Sequence, residues 1–208
     1  MIELNKLYNM DCMEGMKQFP DNFFELAIVD PPYGIGDKFK GGKTGKMNFN
    51  EVVNKAWDKI PDDEYFDELA RVSKNQIIWG GNYYKLRPTR CFIVWDKLIS
   101  EDFTLAMAEL AWTSFDRLAK IFRMSVPKDG RKIHPTQKPV ALYKWLLKNY
   151  AKPGDKILDT HVGSASSLIA CYDMGFDYIG FEIDEEYYNA AQKRIADNKA
   201  QMRWRFDR

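Results

Sequence analysis

The chain has 208 residues, 45% hydrophobic and 14% aromatic, which is enough apolar surface to offset the entropy of ordering a domain and excludes bulk disorder. Its 31 Lys and Arg stand against 30 Asp and Glu, a formal net charge of +1, so a protein that grips polyanions by raw charge is excluded and any such partner has to meet a local basic patch. Cys12, Cys91 and Cys171 are widely spaced and form no Cys-x-x-Cys pair, which argues against a disulfide scaffold or cysteine-rich zinc site and fits a reducing cytoplasm.

In chain order, the amino terminus is charged where a signal peptide needs an apolar run, and no stretch of about 18 apolar residues follows anywhere. The expectation is a soluble, cytoplasmic protein with no membrane partner. Residues 26–29 form the first short apolar run and read as a strand. Residues 34–50 hold five glycines with Lys38, Lys40, Lys43 and Lys46 against Asp37, which predicts a mobile loop. Pro61 and the acids at 62–64 then open a helix whose Tyr65, Phe66, Leu69 and Val72 share one face. Apolar runs at 76–79 and 91–95 predict two more strands.

Residues 117–138 carry seven Lys and Arg against one Asp, the densest positive stretch in the chain. Thr136 is placed to cap the next helix, with Pro139 in its first turn and Tyr143, Leu146, Leu147 and Tyr150 as its stripe. A strand at 156–158, a small-residue turn, a helix through Ser167, Ile169 and Cys171 with Gly175 as its stop, and a strand at 178–183 follow. Asp184 caps the last helix, so 151–198 make one βαβα unit. The alternation predicts a single α/β domain over 1–208 with a mostly parallel sheet and helices on both faces.

In such a sheet, ligands bind beyond the carboxyl ends of the strands. Two places qualify. At 159–165 a strand enters a tight turn whose small residues let the backbone approach a ligand and leave the next helix's amides exposed. Glu182 ends the following strand, where its carboxylate can accept from both hydroxyls of a ribose. The second place is Asp30-Pro31-Pro32-Tyr33, directly after the first apolar run. The prolines fix φ and lack N–H groups, so their carbonyls are rigid acceptors beside the Asp30 carboxylate, with the Tyr33 ring to stack on a planar amine. A strand-terminating turn is the alternative reading of the same residues. His134 and His161, the only histidines, lie near no carboxylate-cysteine pattern, and no metal site is expected.

In their order, these motifs resemble those of the amino-methylating DNA methyltransferases that use S-adenosylmethionine, in the permuted group whose catalytic motif precedes the cofactor motif. Residues 30–33 resemble the catalytic motif and 159–164 the glycine turn. Residues 9–12 resemble the segment whose acid lies near the cofactor's adenine, 134–139 the methionine-binding start of a helix, and 95–97 a further family segment. The resemblance covers nearly the whole chain and implies a Rossmann-like methyltransferase sheet. It implies that Asp159, Gly163, Ser164 and Glu182 hold the nucleoside end of the cofactor, Asp11 its adenine, and Thr136, Gln137 or Lys138 its methionine carboxylate. Asp30 to Tyr33 would receive the target base, flipped from DNA. Lys38, Lys40, Lys43, Lys46, Arg131 and Lys132 are the candidates for DNA phosphates.

Adenine N6 is expected, because family members with Asp at the first motif position are usually adenine-directed. Cytosine N4, a catalytically silent DNA-associating module, and an RNA or small-molecule methyltransferase are the alternatives. The sequence departs from the family where Thr160-His161 replaces the usual Pro-Phe and Ala165 replaces a second glycine, which predicts an extra methyl group near the cofactor. Between Phe122 and His134 there is room only for a loop where relatives insert a recognition domain, so recognition is expected to be short or shared across a homodimer. The protein is expected to be bacterial or phage-encoded.

Overall fold

The computed structural model describes residues 2–34, 59–102, 106–125, 133 and 137–206. In chain order these form β1 (Lys6–Asn9), α1 (Cys12–Met16), β2 (Leu26–Val29), α2 (Asp63–Val72), β3 (Gln76–Trp79), β4 (Ile93–Asp96), β5 (Ala108–Thr113), β6 (Lys120–Arg123), α3 (Val140–Tyr150), β7 (Lys156–Asp159), α4 (Ser166–Met174), β8 (Asp177–Glu182) and α5 (Glu185–Phe206). The strands make one sheet in the order β1-β8-β7-β2-β3-β5-β4-β6. β5 runs antiparallel to both neighbours, and every other pair is parallel.

Both faces of the central sheet are buried, which is why its strands read as continuous apolar runs. Along β2, Leu26 and Ile28 join one apolar cluster while Ala27 and Val29 join the other, as a period of two demands. The first cluster receives Leu142, Leu146, Leu168 and Ile195 from α3, α4 and α5. The second receives Met16 from α1 and Tyr65, Leu69 and Val72 from α2. Trp79, Trp95 and Trp112 are core residues.

The caps follow the sequence with one difference. Asp62 accepts from the Tyr65 N–H at 3.2 Å, and Asp184 accepts from the N–H groups of Glu186 and Tyr187 at 3.0 and 3.1 Å. Gly175 ends α4 at φ 74°, a left-handed conformation that favours glycine. α3 instead begins at Val140 with Pro139 at its N-cap and no side-chain cap bond, and Thr136 lies outside the described residues. Lys38, Lys40, Lys43 and Lys46, with the loop expected at 34–50 from residue 35 on, and Arg131 and Lys132 also lie outside them. Among the described residues, no helix is long and apolar enough to cross a membrane.

Strand order fixes where a ligand can sit. From β2 the chain proceeds to β3 on one side, and from β7 it proceeds to β8 on the other, so the carboxyl ends of β2 and β7 flank a topological switch point.

Candidate active site

β2 and β7 are hydrogen-bonded parallel neighbours, with Leu26 opposite Ile157 and Ala27 opposite Leu158. Their continuations, the Asp30 corner and the Asp159 turn, therefore leave the sheet side by side although 129 residues separate the two acids in sequence. The next positions along the same edge belong to β8 and β1, where Glu182 pairs in register with Asn9 and Asp11 follows just beyond. On the other flank, Gly80 follows β3.

The corner at 30–33 is tightly organised. The Tyr33 hydroxyl donates to Asp30 Oδ1 at 2.6 Å, and the Lys138 ammonium donates to Asp30 Oδ2 at 2.5 Å. The Tyr33 ring stacks on Tyr83 with centroids 5.0 Å apart and planes 16° from parallel. The ring also lies against Gly80, at φ +67°, where a Cβ would lie 2.3 Å from it. Burial and the neighbouring Asp30 push the Tyr33 phenol well above its ordinary pKa, so it acts as a hydrogen-bond donor.

The proline carbonyls are not the free acceptors the sequence suggested. The Tyr84 hydroxyl donates to Pro31 O at 2.7 Å and lies 3.2 Å from Pro32 O. Each carbonyl oxygen keeps a second lone pair, so an incoming amine shares the acceptor with Tyr84 or displaces it. Tyr83 and Tyr84 follow the apolar run at 76–79 through Gly80-Gly81-Asn82, a glycine turn at a strand's carboxyl end that was a readable signal.

At the second place, Asp159 is buried beneath the turn rather than lining its surface. It accepts from the Ser167 hydroxyl and, at 3.0 Å, from the His161 N–H, so it shapes the turn. Burial pushes its carboxyl up to about 7. Glu182 accepts from the Gly163 N–H at 2.8 Å and the Asp184 N–H at 2.9 Å, and burial raises its pKa as well. Ser164 is buried, with its hydroxyl 3.2 Å from that of Ser166. Asp11 is exposed and caps α1 through the Met13 N–H at 2.7 Å. The Gln137 side chain accepts from the Ile133 N–H at 3.2 Å.

A DNA methylase family profile matches residues 87–193, just over half of the chain. The chain belongs to the N6/N4 DNA methylase family. YubD of Escherichia coli (strain K12) is 26% identical over 218 residues, covering 93% of this chain and 91% of its own length. The type II methyltransferase M.HinfI of Haemophilus influenzae is 23% identical over 254 residues, covering 94% of this chain and 69% of its own. The M1.HpyAVI–SAM complex shares the fold at TM-score 0.61 and 20% identity, over 91% of this chain and 98% of that one. The cytosine-N4-specific PvuII DNA methyltransferase does so at TM-score 0.62 and 15% identity, over 95% of this chain and 92% of that one.

The cofactor of this N6/N4 DNA methylase is S-adenosyl-L-methionine. The residues at the edge fit it: Glu182 keeps lone pairs for hydroxyl donors beside a turn whose Gly163 has φ 52°, and the carboxylate of Asp11 lies two residues past the Asn9 that pairs with Glu182.

The departures from the family pattern have structural accounts. Thr160 and His161 form a hydrogen-bonded chain with α2, with the Tyr65 hydroxyl 2.6 Å from Thr160 Oγ1 and the latter 2.9 Å from His161 Nδ1. Desolvation holds His161 down at about 4, so it is neutral at ordinary pH. Ala165 is fully buried within the first apolar cluster at φ 62°, and the cost of its left-handed backbone is offset by that burial.

The basic stretch divides as well. Arg117 and Lys120 bind the carbonyl and side chain of Asn149 at 2.9 and 2.6 Å, and Arg123 lies 3.5 Å from Asp96. Lys138, expected at the methionine end of the cofactor, places its ammonium against the corner at 30–33, 3.0 Å from Glu109 Oε2 as well as on Asp30. Glu109 was not singled out by any pattern in the sequence.

Proposed function

We propose that this methylase transfers a methyl group to the exocyclic amine of a base flipped from DNA, adenine N6 in the first instance. The observation that carries the reading is the pairing of β2 with β7, which sets the Asp30 corner beside the turn and acid suited to the cofactor. In this reading Asp30, Pro31, Pro32 and Tyr33 receive the base. Asp11, Gly163, Ser164 and Glu182 line the cofactor's nucleoside end, Asp159 shapes the turn beneath it, and Thr136 and Gln137 serve its methionine end.

The target nitrogen is a poor nucleophile because its lone pair is delocalised into the ring. Acceptors fixed around its two N–H bonds favour the pyramidal geometry that localises the pair. Asp30 Oδ1 and the Pro31 carbonyl are such acceptors, and they stabilise the positive charge that develops on nitrogen. When bound, the cofactor would supply an electrophilic methyl group on a sulfonium, whose carbon–sulfur bond breaks with its electron pair left on sulfur as a neutral thioether. As nitrogen gains its new bond to carbon, Asp30 is the base that accepts the displaced amine proton. Tyr33 replaces stacking lost on flipping, which requires the Tyr83 ring to leave its face. Lys38, Lys40, Lys43, Lys46, Arg131 and Lys132 are assigned to phosphates, and two copies of the chain to a shared target.

Adenine is preferred to cytosine on the Asp at position 30, from the family resemblance. Incubation with methyl-labelled cofactor and mixed-sequence DNA, followed by nucleoside analysis, tests this: label is expected in N6-methyladenine. Label in N4-methylcytosine reverses the base assignment, and label confined to RNA or small molecules overturns the reading.

A further inference from the structure

Lys138 is 3% exposed, yet its ammonium is surrounded by partners rather than by apolar atoms. Its three N–H groups are matched by Asp30 Oδ2 at 2.5 Å, Glu109 Oε2 at 3.0 Å and the Tyr33 hydroxyl at 3.3 Å. The Trp79 ring lies 5.2 Å away. An ammonium so matched has no donor left for a cofactor carboxylate. Burial alone would lower the Lys138 pKa, but Asp30 and Glu109 outweigh it and hold the group above the ordinary lysine range.

Glu109 is held just as firmly. Its Oε1 accepts from Lys97 at 2.6 Å and its Oε2 from Lys138 at 3.0 Å. Burial pushes its carboxyl up, but the two lysines reverse this and keep it at about 2. The reach depends on topology. Because β5 is antiparallel, its second residue, Glu109, arrives at the same sheet edge as the last residues of the parallel strands, opposite Trp95 of β4.

A buried ion pair is weak evidence for stability, and this one ends on the candidate catalytic acid. Asp30 has Tyr33 on one oxygen and Lys138 on the other, so its carboxylate plane is fixed, whereas the last torsion of an aspartate is otherwise broad. A lone ammonium at that point would offset the charge that attracts the developing cation. Glu109 restores it.

We propose that Glu109 and Lys138 are positioning residues for methyl transfer: Lys138 fixes the orientation of the Asp30 carboxylate, and Glu109 anchors Lys138 and balances its charge. This rests on the methyl-transfer reading above. The test is single-turnover methyl transfer to DNA at saturating cofactor, with cofactor affinity measured separately by calorimetry. Glu109→Gln keeps the shape and an oxygen for Lys138 but removes the charge; its rate is expected to fall about 10-fold with cofactor Kd within twofold of wild type. Lys138→Met is expected to lose rate at least as severely, again with Kd unchanged.

A Glu109→Gln rate within twofold of wild type overturns the positioning roles. So does a Lys138→Met protein that binds cofactor 10-fold more weakly yet reacts normally when saturated, because Lys138 would then serve the methionine end. If Lys138→Met does not fold, Glu109→Gln decides alone. A wild-type protein that methylates no DNA overturns the underlying reading and the positioning roles with it, a result distinct from both.

Discussion

Gly80→Ala tests whether the placement of the Tyr33 ring sets the reaction rate. A Cβ at position 80 would lie 2.3, 2.6 and 2.8 Å from Cε1, Cδ1 and Cζ of Tyr33. Ordinary carbon contacts begin at about 3.5 Å, so the ring has to move by roughly 1.2 Å. It is tied by the 2.6 Å bond to Asp30 and by the stack on Tyr83, and a shift of that size breaks at least the first. Two costs to stability follow: about 1–2 kcal/mol for alanine at φ +67° and about 1–3 kcal/mol for overpacking. The kinetic cost of a misplacement near 1 Å is on the order of 10²-fold. Gly175→Ala separates the two effects, because φ is +74° there but nothing lies within 4 Å of the added Cβ. Single-turnover transfer of labelled methyl to DNA, with cofactor binding by calorimetry and melting by calorimetric scan, is the assay. Gly80→Ala is expected to bind cofactor normally, melt lower and react about 10²-fold more slowly, while Gly175→Ala melts lower and reacts at the wild-type rate. A wild-type rate for Gly80→Ala would mean that the placement of the Tyr33 ring does not set the rate.

Three further outcomes are expected. The Asp159 carboxyl, raised to about 7, is favoured in its protonated form by the fold, so its contribution to stability is present below about pH 4 and lost as pH rises to about 7. Asp159→Asn stays neutral, and its stability relative to wild type should grow by on the order of 4 kcal/mol across that window; parallel stability curves would contradict this. His161, held at about 4, has the opposite sign: its contribution is present above about pH 6.5 and lost as pH falls towards 4. His161→Phe should flatten that acid loss, read from melting temperatures at pH 7 and 4.5. Glu182→Ala removes the acceptor assigned to the ribose and should weaken cofactor binding by about 10- to 100-fold, a loss that titration calorimetry would register and that an unchanged Kd would exclude.

Much of the sheet was legible because its central strands are buried on both faces and leave apolar runs at 26–29, 76–79 and 156–158. The two halves of the site were legible for a related reason, since each directly follows one of these runs. β5 was not. Its sequence, Ala-Glu-Leu-Ala-Trp-Thr, favours a helix locally, and it is a strand because β3 and β4 offer ladders on both sides and the Trp112 indole donates to Arg87 O at 2.7 Å. With β5 missed, Glu109 had no address, and the contact between Lys138 and Asp30, 108 positions apart in sequence, left no local pattern to read. The edge strands β1 and β6 are short and partly exposed, so neither leaves an apolar run to read. The tyrosine that occupies the proline carbonyls also escaped notice, because a free acceptor and a shared one look alike in sequence.

If the Asp30 corner and the turn at Gly163 with Glu182 form one methyl-transfer site, loss of Asp30 should stop the chemistry and spare cofactor binding. Asp30→Ala, assayed for cofactor affinity and for methyl transfer to DNA on the same preparation, tests it most directly. Cofactor affinity is expected to stay within twofold of wild type and transfer to be at least about 10²-fold slower. Near-normal transfer by Asp30→Ala would contradict the single site.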